Sequence, residues 1–179
     1  MRFASMRNLD ISNGEGVGVS LFVQGCDRHC FNCFNPDTWD FNGGKEWTEE
    51  TKNKFIKLID RPYINRISVL GGEPLAEQNL DEVLSLIKEI RISFPEKTIW
   101  LYTGYKFEDL INGIHYPLDS EWENKVLRQS IVKLCDVLVD GEYIDEQKDL
   151  SLRFRGSKNQ RVIDVKQSLA QNKVVLYCN

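Results

Sequence analysis

Short apolar runs and helical periodicities take turns along this chain. Val17 to Gln24 alternates, with Val19, Leu21 and Val23 on one face, and predicts a strand. From Thr48 the period lengthens. Glu49 and Glu50 suit the positive start of a helix, and Phe55, Leu58 and Ile59 recur on one side. Arg66 to Leu70 is a short apolar run that reads as a buried strand, broken by Gly71-Gly72-Glu73-Pro74. Next comes the clearest helix, with Asn79 placed to cap it, Glu82 three residues on, and Leu80, Val83, Leu84 and Ile87 on one face. Lys97 to Thr103 predicts a third strand, closed by Gly104. Val126, Leu127, Ile131 and Leu134 mark another helix, and Cys135 to Val139 a fourth strand, closed by Asp140-Gly141. A polar, basic loop runs through Arg155 and Lys158. Two apolar runs, Val162 to Val165 and Val174 to Tyr177, are linked closely enough to pair antiparallel, like a hairpin.

Strand and helix alternate at roughly 30-residue intervals in the middle of the chain, which implies right-handed βαβ units and a parallel sheet. About five or six mainly parallel strands fall short of a closed eight-stranded barrel, which needs ~250 residues. The expected fold is therefore α/β, an open or partial β/α barrel, formed as a single domain over residues 1–179. The breaks after the four central strands then fall on one rim, because parallel α/β folds bind ligands at the carboxyl ends of their strands.

Composition narrows the class without fixing the chemistry. With 41% hydrophobic and 28% charged residues, the 179-residue chain can build an ordinary core. Its net charge of −4 argues against a general nucleic-acid binder. No run approaches the ~18 apolar residues of a membrane span. Met1-Arg-Phe-Ala-Ser-Met lacks the apolar stretch of a signal peptide, so the cytoplasm is the expected compartment.

Five cysteines are present, and three of them crowd into Cys26-Asp-Arg-His-Cys30-Phe-Asn-Cys33. A C-x3-C-x2-C tripod can hold three corners of a 4Fe–4S cube and leave the fourth iron open. Electron-transfer clusters are instead held by four cysteines. An open metal position is a place for substrate, as in catalytic zinc sites. The competing reading is zinc, with His29, Cys135 or Cys178 as fourth ligand, in a non-catalytic module that docks a partner. Zinc motifs, however, come as paired elements, and the sequence offers no second pair. Cys135 and Cys178 read as small buried thiols. Gly71-Gly72-Glu73-Pro74 is either a plain strand-to-helix turn or a place where an amino acid can approach the backbone closely.

C-x3-C-x2-C followed downstream by Gly-Gly-Glu-Pro resembles the radical S-adenosylmethionine (SAM) enzymes. The likeness narrows through Asn13-Gly14-Glu15-Gly16, Phe22 to Cys33, Asn35, Thr38-Trp39, Trp100 to Tyr105, Leu138 to Gly141 and Arg155 to Gln160. Together these resemble the anaerobic ribonucleoside-triphosphate reductase-activating proteins over nearly the whole chain. The resemblance implies that Cys26, Cys30 and Cys33 ligate a 4Fe–4S cluster whose open iron chelates SAM. It implies an oxidoreductase that cleaves SAM reductively to a 5′-deoxyadenosyl radical and so generates a glycyl radical on the reductase. The implied partners are the glycyl radical subunit of that reductase and a one-electron donor such as a reduced flavodoxin, with neither nucleic acid nor membrane. Another short radical SAM enzyme, acting on a small molecule or a different glycyl radical enzyme, is the nearest alternative.

The resemblance also carries over binding residues. Asn32, Cys33 and Phe34 match the stretch beside the SAM adenine, and Gly71, Gly72 and Glu73 the stretch near its methionyl group. Asn32 stands where many radical SAM enzymes have an aromatic residue, and Gly18 where relatives often have arginine. Other segments read two ways. Tyr105 lines the rim or packs; Asp140 meets a substrate peptide or caps a turn. Trp39 and Trp47 shield the cluster or fill the core. Arg153, Arg155, Lys158 and Arg161 form a solvated loop or dock an acidic or extended glycine loop.

Overall fold

A computed structural model describes residues 1–112 and 121–178. These residues form a mixed α/β fold on one eight-stranded sheet, in the order β3-β1-β2-β4-β5-β6-β7-β8. The strands are β1 (Arg2–Asp10), β2 (Gly18–Val23), β3 (Lys45–Glu46), β4 (Arg66–Gly71), β5 (Thr98–Tyr102), β6 (Val137–Asp140), β7 (Arg161–Asp164) and β8 (Leu176–Cys178). The helices are α1 (Glu49–Ile59), α2 (Leu80–Ser93), α3 (Phe107–Asn112), α4 (Trp122–Leu134) and α5 (Val165–Gln171).

The expectation of a mainly parallel sheet is corrected. β2, β4, β5 and β6 run parallel, joined by helical crossovers. The pairs β1–β2, β1–β3, β6–β7 and β7–β8 are antiparallel, so antiparallel pairings outnumber parallel ones. The connections explain this. Seven residues join β1 to β2, too few for a crossover, and the 20 residues between β6 and β7 contain no α-helix to make one, so β1 and β7 fold back on the parallel centre. The last two apolar runs do pair antiparallel, but α5 joins them in place of a tight turn.

Period-2 alternation sorts the sheet into two faces. Val19, Leu21 and Val23 of β2, Ile67 and Val69 of β4, Ile99 and Leu101 of β5, and Leu138 of β6 pack in one cluster. The apolar faces of all five helices join it. Covering the 27 buried side chains of this cluster, at roughly 1.5–3 kcal/mol for each large one, is the main force holding sheet to helices. The opposite face carries Trp100, Val137, Val139 and Val162, with Tyr102 and Phe154 against them. Ser20, Arg66 and Ser68 share that face, a polar floor beneath the strand ends. The Arg66 guanidinium is wholly buried there; it donates to the Asp10 carbonyl (2.7 Å), to the Asn13 carbonyl and to Ser68 Oγ. A Cβ on Gly18 would lie 2.8 Å from the Arg66 guanidinium carbon, so Arg66 fills the space that a side chain at position 18 would take.

The starts of α1 and α5 follow local chemistry. Thr48 caps α1 by accepting from the Thr51 amide (3.2 Å), and Asp164 caps α5 by accepting from Gln167 (2.9 Å). Asn79 sits at the start of α2 but makes no side-chain cap. Its amide is spent elsewhere, as described below. No described helix is long and apolar enough to cross a membrane.

Candidate iron–sulfur site

The carboxyl ends of the four parallel strands open onto a cavity of about 610 Å³. Cys26, Cys30 and Cys33 line it from the loop after β2. Gly71, Gly72 and Glu73 line it after β4, Thr103 and Gly104 after β5, and Tyr143, Arg155 and Gly156 after β6. That volume lies within the roughly 300–1,000 Å³ of sites that hold small ligands. All four breaks predicted to share a rim therefore do so.

The cysteine loop has little regular structure, and other segments hold it. Gln24 Nε2 donates to the carbonyls of Asp37 (3.0 Å) and Asp40 (2.8 Å), while the Gly25 and Cys26 amides donate to Thr38 and Trp39. Gly72 donates to Val23 (2.9 Å) and Glu73 to the Gly25 carbonyl (2.8 Å), locking the exit of β4 against the root of the loop. A Cβ on Gly72 would collide with that same Gly25 carbonyl. The double glycine is thus required by the close approach of two backbones, whatever else binds there. Asn79 Nδ2 completes the junction by donating to both the Gln24 (3.1 Å) and Glu73 (3.0 Å) carbonyls.

Glu73 is buried, and its carboxylate gathers four donors: Leu75 N–H (2.9 Å), Gly104 N–H (2.8 Å), Thr103 Oγ (2.8 Å) and Arg28 Nε (3.3 Å). Burial pushes this carboxyl up, against the pull of those donors. Arg28 lies between the first two cysteines. It also reaches Glu142 (2.6 Å) and stacks on Tyr105, whose ring holds Arg128 as well (4.0 and 4.8 Å to the centroid). Tyr105 is therefore a packing residue outside the cavity lining. Asp140 accepts from the Phe107 amide (2.8 Å) and from Arg161 Nε (3.0 Å), so its carboxylate ties the end of β6 to the start of α3 and to β7.

On the far side, the segment after β6 clasps the loop. Asn32 Nδ2 donates to Asp145 (2.9 Å), Phe34 packs on Tyr143 (centroids 4.9 Å), and a Cβ on Gly156 would lie 2.5 Å from the Phe34 ring. Asn32 has φ +53°, a left-handed conformation that asparagine adopts more readily than most residues. Its side chain turns to Asp145 and does not line the cavity, whereas Cys33 and Phe34 do.

Burial pushes the Cys26 and Cys30 thiols up, and the nearby carboxylates of Glu73 and Glu142 add to it. Both are neutral until a metal takes them. Among the described residues, no three His, Cys, Asp or Glu groups gather tightly enough for a single metal ion. The proposed fourth zinc ligands lie elsewhere. Cys135 is buried under α4, bonded to the Ile131 carbonyl (3.3 Å). Cys178 is in β8, only partly buried, which corrects the expectation of a fully buried thiol. His29 is exposed and stacks on Trp39 (4.7 Å). Three thiols on one wall, with no further cysteine in the lining, suit a 4Fe–4S cluster. Trp39 lines the cavity; Trp47 packs between Phe3 and Phe55 in the core.

Sequence reasoning missed Asn79, Gln24, Glu142, Tyr143 and Asp145. The last three follow the Asp140-Gly141 break directly, and that position on the rim was their signal.

Comparison with known proteins agrees with this geometry. A family model described as a 4Fe-4S single cluster domain matches residues 12–163. Proteins of Salmonella typhimurium and Escherichia coli, both named anaerobic ribonucleoside-triphosphate reductase-activating protein, are 37% identical over 164 residues. The match spans 90% of this chain and 97% of theirs. A Vibrio cholerae protein of the same name is 35% identical over 162 residues, 89% of this chain and 96% of its own. With its cysteine tripod gathered on one cavity wall, the chain belongs to the family of anaerobic ribonucleoside-triphosphate reductase-activating proteins, which here spans a 4Fe-4S single cluster domain.

Proposed function

We propose that this protein activates an anaerobic ribonucleoside-triphosphate reductase by installing a glycyl radical on it, with SAM as the radical source. The observation that carries the reading is the cysteine tripod at the parallel strand ends, facing a cavity large enough for a second ligand. Cys26, Cys30 and Cys33 would hold the cluster. When bound, a 4Fe–4S cluster with one open iron supplies the single electron that cleaves SAM, and the cofactors carry that chemistry. The protein's part is positioning. Phe34 offers an apolar face for the adenine, joined by the Asn32–Cys33 backbone. Gly71, Gly72 and the backbone of Glu73 offer carbonyls and amides to the amino-acid end. The Glu73 side chain is already fully engaged, so its role is to hold Arg28 and thereby the loop.

In this reading the sheet is an open barrel of the radical SAM type, and residues 1–179 act as one domain in the cytoplasm. The reductase's glycyl radical subunit is the substrate, and a reduced one-electron donor such as a flavodoxin feeds the cluster.

The test is anaerobic reconstitution and reduction, followed by assay for 5′-deoxyadenosine and, with the purified reductase present, for an organic radical by electron spin resonance. The expected preparation carries about four iron and four sulfide per chain. Cys30→Ala is expected to lose both the metal and the product. A fully loaded wild-type protein that forms no 5′-deoxyadenosine would overturn the proposal.

A further inference from the structure

Every arginine among the described residues but one has an acceptor. On the cavity side Arg7 and Arg66 reach Asp10, Arg28 reaches Glu73 and Glu142, Arg153 reaches Glu15, and Arg161 reaches Asp140 and Glu108. Elsewhere Arg2, Arg61, Arg91 and Arg128 donate to carbonyls. Arg155 alone has no hydrogen bond or ion pair with any described residue. It lines the cavity, and its Nε is buried with no partner. A guanidinium carries five donors and is always charged, so a half-buried one without an acceptor is costly in the free protein. The charge is held where something anionic can reach it.

We infer that Arg155 receives a carboxylate of the reductase segment that enters this cavity; the inference rests on the function proposed above. SAM has one anionic group, its carboxylate, and that reading assigns it to the open iron. Arg155 instead adjoins Gly156, which lies against Phe34, the residue proposed for the neutral adenine end. The surroundings fit an acidic polypeptide. Residues 148–161 carry five cationic side chains against one acid, Asp149; Arg153, Lys158 and Arg161 are paired with Glu15, Asp149, and Asp140 and Glu108, while Arg155 and Lys148, which lies over the Phe34 ring, are not ion-paired among the described residues. Leu150 (79% exposed) and Phe34 (52% exposed) add apolar contact at the mouth of the same cavity. A guanidinium–carboxylate pair formed there is short, bidentate and shielded from water. It would fix the direction of the incoming segment as well as its affinity.

The test measures binding of the cluster-loaded protein to the purified reductase, anaerobically, by titration calorimetry at several salt concentrations. Arg155→Gln is expected to weaken binding about tenfold or more and to flatten its salt dependence, with Arg155→Lys between it and wild type. Iron content checks that each variant is folded. Equilibrium dialysis of SAM separates the two possible carboxylates, and Arg155→Gln is expected to bind SAM within about twofold of wild type. Unchanged reductase affinity in Arg155→Gln overturns the inference and leaves the proposed function standing. A loss confined to SAM affinity overturns it too, by assigning the guanidinium to the cofactor. A loaded wild-type protein that binds no reductase overturns both.

Discussion

Replacing Glu73 by alanine strips four donors of their common acceptor. Leu75 is fully buried, and its amide loses its only acceptor; the Gly104 amide loses its acceptor as well. Each orphaned buried donor costs about 1–3 kcal/mol. Thr103 Oγ can rotate toward another acceptor, and Arg28 keeps Glu142, so these add less. The sum is about 3–5 kcal/mol, in line with the removal of one partner from a buried ion pair. For a chain of this length that corresponds to a fall in Tm of roughly 6–20 °C. Thermal unfolding followed by circular dichroism, with Glu73→Gln beside it, checks the figure. Glutamine keeps one acceptor oxygen, so its loss is expected to be smaller, about 1–3 kcal/mol. Because Arg28 belongs to the cysteine loop, Arg28→Ala combined with Glu73→Ala is expected to cost less than the sum of the two single losses, by about 1 kcal/mol or more. A Glu73→Ala protein within about 1 kcal/mol of wild type would refute the view that this carboxylate is a strut.

Gly72→Ala drives a methyl group into the Gly25 carbonyl and must part the root of the cysteine loop from β4. A destabilisation of about 1–3 kcal/mol and reduced iron retention are expected, and a fully loaded variant of wild-type stability contradicts the close-approach argument. Cys135→Ala and Cys178→Ser should each keep iron and sulfide at the wild-type level in metal analysis, since neither lines the cavity; loss of metal from either would restore a fourth cysteine ligand. Burial pushes the Asp10 carboxyl up, but hydrogen bonds from Asn13 and Ser12 outweigh it and bring the pKa from 3.8 down to about 2. A carboxyl lowered by folding stabilises above its unfolded value and loses that contribution as pH falls. Denaturant midpoints of the metal-free protein should therefore drop between about pH 5 and pH 2, by up to about 2 kcal/mol from this group. Asp10→Asn should flatten that drop, and an equally steep one in the variant would count against the assignment.

The parallel centre of the fold was legible because its strands are buried on both faces and bounded by glycine. Val19, Leu21, Val69 and Leu101 announce themselves as apolar runs. β1 was not, since Arg2 to Asp10 exposes most of one face to solvent and its only fully buried positions are Phe3 and Asp10. Its place beside β2 comes from pairing, not from pattern. The same limit hid β3, the antiparallel pairing of β6 with β7 and short α3, whereas the β7–β8 pairing was legible in two closely spaced apolar runs. For the site, cysteine spacing gave the ligands, and strand ends gave the rim. The spacing could not show that Asn79, spelled like a helix cap, spends its amide on two carbonyls across the junction. In a sequence the two uses look alike; which wins depends on whether buried carbonyls elsewhere have other donors.

A loop that presents three thiols with no helix or strand of its own has to be held from outside. Here the ties divide by side. The β4 exit, through Gly72, Glu73 and Asn79, fixes the first cysteine's end by backbone hydrogen bonds and buried side-chain partners. The segment after β6, through Glu142, Tyr143 and Asp145, holds the stretch from Arg28 to Phe34 by more exposed contacts. Buried ties are worth more and open less often than exposed ones, so the two ends of the tripod differ in rigidity. The looser clasp belongs to the segment that also carries Arg155 and the cationic run. A partner that engages Arg155 therefore acts on the same stretch that grips Phe34 and the third cysteine. Partner binding and the order of the cluster loop are then coupled through one segment, and the coupling must run both ways: a loaded, ordered loop should bind the partner more tightly than an empty one.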